Sequence, residues 1–407
     1  MNNLLSLEQA LENINQQLSF PTQTETLPLN QAQQRICAED VISSINVPSF
    51  DNSAMDGYAV RLADLAQSMT LSVAGKSFAG NPFQGEWAAK SAVRIMTGAM
   101  LPEGADAVVM QEEVTVNDDG TVTFEKLPKA NQNIRRIGED VKIGDVVLKK
   151  GKKLTALSLP LLASLGITQV QVFPRLKVAV LSTGDELLPV GQPLKQGQIY
   201  DTNRFAVKLM LEKLNCEILD FGILPDNETE FEKAFIDAQS QADLVITSGG
   251  VSVGEADFTK TVLEKVGQIN FWKLAIKPGK PFAFGKLNNA WFCGLPGNPV
   301  SALVTFYQLV QPVIAKLSGY SDWKKPQKLT ALAANNLKKA PGRLDFQRGF
   351  YRLNAQAQLE VQSIGFQGSH LFSSFVESNC FIVLEQDRGD VTAGETVTIE
   401  PFNDILG

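Results

Sequence analysis

A chain of 407 residues, 44% hydrophobic and 20% charged, is ordinary globular protein with room for roughly two to four domains. Its net charge of −7 argues against a general nucleic-acid surface, and no apolar run approaches the ~18 residues of a membrane span. The four cysteines include no C-x-x-C pair, so neither a zinc site nor a disulfide framework is suggested, and His370, the sole histidine, excludes a His-clustered metal site and argues against a His-based triad. Any metal is therefore expected to be a hard cation held by oxygen, in a cytoplasmic protein.

Leu4, Leu7, Leu11, Ile14 and Leu18 recur at helical spacing and predict an amphipathic first helix, not a signal peptide. Residues 25–60 read as extended segments ending in PSFDNSAMDGYAV, where Asp56-Gly57 is turn chemistry. Residues 70–127 are short Val-rich strands broken by Gly, Pro and Asn-Asp-Gly, with Thr97-Gly98 at one turn. A basic, loop-rich stretch covers 128–151, and a helix from about Thr155 to Leu165 ends at Gly166.

From Leu176 the pattern changes to alternating strands and helices. LKVAVLS is apolar on both faces, as a buried parallel strand should be, and leads into Thr183-Gly184-Asp185-Glu186. A helix with Val207, Met210, Leu211 and Leu214 follows, then the strand CEILDFGIL ending at Pro225-Asp226, then a helix opened by Asn227 and Glu230. The third strand, 243–247, empties into Ser248-Gly249-Gly250, Ser252, Gly254, Glu255 and Asp257. Repeated βα units imply a parallel sheet with ligand groups at the strand C-termini, and Glu186, Asp226 and the 248–257 loop all lie there. The loop matches neither G-x-G-x-x-G nor G-x-x-x-x-G-K-[ST]. It is either a tight turn with Asp257 as N-cap, or an anion site flanked by carboxylates that suit a phosphate and Mg²⁺.

Lys273, Lys277 and Lys280 lie around a Pro-Gly-Pro turn, either a charged surface hairpin or donors for an anion. After the strand AWFCG, Leu295-Pro296-Gly297-Asn298-Pro299 predicts a helix with Asn298 as N-cap and Pro299 at N1; Ser301 makes its start a second anion candidate. Pro312 is expected to kink that helix. Beyond Gly319, FQRGFYRL, LEVQSI, CFIVLEQ and TVTIEP predict a small β-barrel or sandwich carrying Arg343, Arg348 and Ser369.

PSFDNSAMDGYAV, RIMTGA, LPEGADAVV, LSTGDEL, ITSGGVSVGEAD, KPGKP, GLPGNPVS and GRLDFQRG, in this order across nearly the whole chain, resemble the signatures of the MoeA family of molybdopterin molybdenumtransferases, to which the gephyrin E domain is related. The resemblance implies an α/β and β multidomain protein. An elongated discontinuous domain takes 1–50 and 140–174, an inserted β-rich domain 51–139, a parallel-sheet α/β molybdopterin-binding domain 175–325, and a C-terminal β-barrel 326–407. It implies a homodimer that inserts molybdate into adenylylated molybdopterin with Mg²⁺-dependent release of AMP. The adenylate would come from a molybdopterin adenylyltransferase upstream; neither nucleic acid nor membrane is implied as a partner.

Carried over by motif, Asp226 and Asp257 would hold Mg²⁺. Ser248, Gly249, Gly250, Ser252 and Gly254 would cradle pterin and phosphates. Lys277, Lys280, Arg348, Ser301 and Ser369 would bind molybdate, with Lys273, Pro296 and Pro299 also in the site. Glu186 would contact substrate or orient water, and Asp56 and Thr97 would come from the inserted domain, perhaps of the other subunit. Two other readings remain open from the residues: an adenylyltransferase needing only the central domain, and a binding or scaffolding protein.

Overall fold

The computed structural model describes residues 4–249 and 258–406. Its first helix, Leu7–Gln17, opens with a capping box: the Ser6 hydroxyl accepts from the Gln9 amide, and the Gln9 side chain accepts from the Ser6 amide. The apolar stripe is as expected, but its docking place is not that of the rest of 1–50. Leu7, Ala10, Ile14 and Leu18 share a core with Leu274, Ile276 and Ile314 of the central domain, and Leu5 donates its amide to the Lys273 carbonyl.

The segments flanking the insertion come together as antiparallel pairs. Glu25–Pro28 pairs with Gln169–Val172, and Val41–Ile42 with Val146–Leu148, over a small core of Cys37, Leu148, Leu154 and Leu162. The helix between them is Ser158–Ser164, slightly shorter than its apolar pattern, and Gly166 ends it at φ +74°. The inserted region forms a six-stranded sheet. Its strand Gly57–Val60 alternates faces, with Tyr58 and Val60 in one core and Ala59 in the other.

The central sheet also has six strands, in the order Glu217–Leu224, Lys177–Thr183, Leu244–Ser248, Trp291–Leu295, Pro281–Leu287, Gly267–Lys273. The first four are parallel; the fifth runs antiparallel to both its neighbours, so the sheet is mixed where a parallel one was expected. The reason is connection length. Only residues 288–290 separate Pro281–Leu287 from Trp291–Leu295, whereas a parallel crossover needs a dozen residues or more. Apolar clusters cover both faces, one built around Phe282, Phe284 and the helix Pro299–Thr305, the other around Phe231, Phe235 and Val262.

That last helix runs on through a π turn, Phe306–Val310, into Gln311–Leu317. Pro312 has no amide to donate, and the turn before it widens to accommodate the loss, while the Gln311 side chain donates to the Tyr307 carbonyl. Among the described residues this is the only helix long and apolar enough to cross a membrane, and it is largely buried in the core.

The C-terminal strands close a five-stranded barrel: Leu344–Leu353, Leu359–Ser363, Leu329–Ala333, Thr396–Pro401, Cys380–Leu384 and back to the first. A two-residue strand from the lysine loop, Ile276–Lys277, adds to it in parallel against Leu344 and Asp345. All four cysteines are buried and free, as fillers should be, and burial pushes the Cys216 thiol up to about 12.

Candidate active site

The carboxyl ends of the four parallel strands collect the chemistry that the sequence placed there. Gly249 has φ +89°, and a Cβ on it would lie 2.8 Å from the Thr183 carbonyl, so only glycine lets the strand Leu244–Ser248 leave its sheet this close to Lys177–Thr183. Its amide donates to the Leu295 carbonyl, which ties the fourth strand to the same point. Ser248 is buried, and its hydroxyl accepts from the side chain of Asn203, which also donates to the Gly297 carbonyl. Gly250, Ser252, Gly254 and Asp257 lie outside the described residues.

On the outer side of this edge, Asp185, Glu186 and Asp226 come together. The Asp226 amide donates to the Asp185 carboxylate at 3.1 Å. Partial burial, reinforced by the charges of Asp185 and Glu186, holds the Asp226 carboxyl above the usual carboxylate range. None of the three is in an ion pair among the described residues. Unneutralised oxygen donors of this kind fit a hard divalent cation. The described residues alone do not complete a cluster of three metal ligands about one point.

The lysine loop sits at the other end of the same edge, because Lys273 pairs with Pro281 beyond the end of the fourth strand. Lys273 and Lys280 are exposed and Lys277 is half-buried. Lys277 Nζ reaches the carboxylate of Asp345 at 3.3 Å, and Asp345 is buried and also accepts from Gln347. Gly279, at φ +109°, packs on the helix Pro299–Thr305: a Cβ there would lie 2.6 Å from Thr305 Oγ1. Pro296 is buried, Pro299 occupies the first turn, and Ser301 is buried beneath the loop. Asn298 is the N-cap as expected, but its side chain makes no capping hydrogen bond. The Val300 amide donates instead to the Ser369 carbonyl.

Arg348, expected among the molybdate donors, has its guanidinium engaged by the protein itself. It is fully buried, its Nε donates to Ser374 Oγ, and its other nitrogens donate to the carbonyls of Phe366, Gln367 and Gly368. Burial lowers its pKa to about 10. It holds the loop that delivers Ser369 to the helix start. A single barrel strand, Leu344–Leu353, thus supports the site twice, through Asp345 under Lys277 and through Arg348 under Ser369.

Asp56 and Thr97, 41 positions apart, meet in the inserted domain: Thr97 donates both its amide and its hydroxyl to one Asp56 oxygen at 2.7 Å. These bonds hold the Asp56 carboxyl below the usual range. Among the described residues no hydrogen bond or ion pair joins this couple to the strand-end groups. Asn203 and Asp345 went unnoticed in the sequence. Asn203 reads as a helix-start residue, although the actual cap is Asp201. Asp345 gains its role only by pairing across domains.

A glycine-bordered edge on an α/β sheet, with carboxylates at one end and a barrel-clamped lysine loop at the other, places charged groups where such sheets gather ligands. Family models match over the length of the chain: the MoeA N-terminal region (domain I and II) over 5–166, the probable molybdopterin binding domain over 179–316, and the MoeA C-terminal region (domain IV) over 330–402. The chain is 77% identical to the molybdopterin molybdenumtransferase of Haemophilus influenzae, covering 99% of this chain and 100% of that one. It is 34% identical to the Nostoc enzyme of the same name over 95% and 91% of the two chains. Among solved structures, a molybdopterin biosynthesis MoeA protein from Pyrococcus horikoshii matches with TM-score 0.84 and 30% identity, covering 98% of this chain and 100% of that chain.

The chain belongs to the molybdopterin molybdenumtransferase family. It is accordingly a transferase of molybdenum cofactor biosynthesis.

Proposed function

We propose that the enzyme takes adenylylated molybdopterin and molybdate, places the metal at the dithiolene, and hydrolyses the adenylyl group off as AMP with Mg²⁺. The observation that carries this is the bipartite edge. Acidic and basic ends sit on the first and fifth strands, roughly 15–20 Å apart at ~4.8 Å per strand. That suits an extended substrate with a phosphoanhydride at one end and an oxyanion acceptor at the other.

Lys277 and Lys280, with the hydroxyls of Ser301 and Ser369, supply donors for molybdate, a dianion that needs cations and O–H groups. Lys273 adds positive charge at the rim, and Pro296 and Pro299 stiffen its wall. Ser248 and Gly249 begin the cradle for pterin and phosphates, which the sequence continues through Gly250, Ser252 and Gly254. Asp226 with Asp257 would hold Mg²⁺, which when bound offsets charge on the phosphoanhydride. Glu186 orients the attacking water or contacts substrate. Arg348 serves by holding the Ser369 loop. Asp56 and Thr97 enter from the other subunit of a homodimer. The substrate's chemistry requires an adenylyltransferase upstream, and the enzyme works in the cytoplasm.

The test is AMP release from adenylylated molybdopterin and Mg²⁺, with and without molybdate. Molybdate-dependent AMP release, with molybdenum retained on the pterin, is expected. An adenylate that stays intact would sink the proposal. For the dimer, inactive Asp56→Ala and Asp226→Ala chains are unfolded and refolded together. If Asp56 serves the partner's site, random pairing restores about a quarter of the activity, since half the dimers regain one intact site. No recovery would confine Asp56 to its own subunit.

A further inference from the structure

The opposite edge of the central sheet carries a cavity that the reaction does not use. It measures about 640 Å³, within the range of small-molecule sites. Leu176, just before the strand Lys177–Thr183, and Leu214-Asn215, just before the strand Glu217–Leu224, line it. It therefore opens at the amino ends of the strands, roughly 20 Å from Thr183 across a seven-residue strand. Its other walls come from Gln34–Ile36, Lys153, Tyr320, Asp322–Lys324 and Asn403–Ile405, so the N-terminal, central and C-terminal parts of the chain all meet around it.

Its charge is inverted relative to the molecule. Within a chain of net charge −7, the lining includes Arg35, Lys153, Arg175, Lys213 and Lys324 against Asp322 and Asp404. Arg35 is already paired with Glu25, and Lys324 with Asp322. Lys153 and Arg175 have neither a hydrogen bond nor an ion pair among the described residues. Lys153 is half-buried, with Nζ 5.2 Å from the centre of the Tyr320 ring. Loss of solvent lowers its pKa, and the field of Asp404 at the rim only partly opposes this. A partly dehydrated ammonium group, with an exposed and unpaired arginine lining the same cavity, is stabilised by an anion placed there.

The rim is built at a conformational cost. Gln34 and Asn215 both adopt left-handed backbone, φ +65° and +58°, and the Asn215 side chain donates to the Gln34 carbonyl at 3.1 Å. Gly319, at φ +79°, leaves no space for a Cβ, which would lie 2.3 Å from the Phe173 ring. Tyr320 and Trp323 offer flat apolar surface along the same wall.

We propose that this cavity is a second ligand site, for a small organic anion whose phosphate or carboxylate sits between Lys153 and Arg175 and whose apolar body lies on Tyr320 and Trp323. Because three parts of the chain form its walls, occupancy also fastens them together.

The experiment is calorimetric titration of the full-length protein with phenyl phosphate, and with inorganic phosphate for comparison. Saturable binding of one phenyl phosphate per chain is expected, with inorganic phosphate weaker. Lys153→Met and Arg175→Met should each raise Kd about tenfold or more. Lys277→Ala, at the other edge, should leave Kd unchanged and so separate this site from the molybdate site. Arg175 is exposed, so its variant tests the site even if Lys153→Met does not fold. No saturable heat, a Kd unmoved by both cavity variants, or a Kd raised by Lys277→Ala would each overturn the site. Equal affinity for the two probes would overturn the role of the aromatic wall.

Discussion

The two ends of the same parallel strands differ in charge and in what builds them. At the carboxyl ends, Asp185, Glu186 and Asp226 form no ion pair among the described residues, and glycines bring neighbouring strands together. At the amino ends, Lys153 and Arg175 line a cavity and form no ion pair among the described residues, although Asp322 and Asp404 lie in the same lining. Neither end is finished by the sheet alone. The carboxyl edge needs the barrel strand carrying Asp345 and Arg348, and the amino edge needs residues from both flanking regions. The contrast teaches that the α/β unit supplies the frame while its neighbours fix the charged groups, so the sharpest perturbations of function should lie outside the central domain as often as within it.

Arg348→Met should do the most damage. It strips the carbonyls of Phe366, Gln367 and Gly368 of their donor and leaves a cavity where the fully buried guanidinium stood. A loss of about 3 kcal/mol is expected, read as a lower first thermal transition, with Ser369 no longer held on the Val300 amide. Unchanged thermal stability would refute the view that the arginine organises the loop.

Asp226→Asn comes next. Removing one carboxylate of the acidic end should cut Mg²⁺-dependent AMP release on the order of 100-fold without shifting the melting temperature noticeably. Full activity would leave the acidic end without a metal role.

Asp345→Asn should be milder. Lys277 keeps its charge but loses the buried carboxylate that holds it. The molybdate concentration for half-maximal AMP release should rise about tenfold, while adenylate binding, measured separately by calorimetry, stays the same. Equal losses in both would mean that Asp345 acts on the whole fold and not on the lysine loop.

The smallest effect concerns pH. The Asp226 pKa is raised, so its carboxylate protonates at a higher pH than an ordinary aspartate. Its folded-state pKa exceeds its unfolded one, so this group favours the folded state at low pH, and that favour is lost as pH rises through the folded pKa. Metal binding runs the other way and needs the ionised form. The Mg²⁺ concentration for half-maximal activity should therefore climb as pH falls from 7.5 toward 5, and Asp226→Asn should flatten that rise. An identical profile in both proteins would assign the pH dependence to another group.

Much of this was legible in the chain itself. The strand-to-glycine transitions at Thr183 and Ser248, the helix start at Pro299 and the turn at Gly279 follow from local chemistry: β-branched runs, positive φ and proline's fixed φ act within a few residues. The ordered motifs carried the family resemblance. The mixed sheet was misread because Pro281–Leu287 and Trp291–Leu295 are as apolar as the parallel strands, and burial pattern does not record direction. The internal hydrogen bonds of Arg348 left no trace in the sequence, because an arginine in a strand looks the same whatever its guanidinium meets.

The sequence by itself determined the elements, their caps and turns, and the edge of the sheet at which ligand groups gather, since all of these depend on spacing along the chain. Only the tertiary structure decided that the first helix packs on the central domain, that Asp345 holds Lys277 across a domain boundary, that Thr97 binds Asp56, and that Lys153 and Arg175 share a cavity. Each of these joins residues far apart in sequence. Burial and electrostatics act through space, and a side chain's partner is fixed only when the whole chain has closed around it.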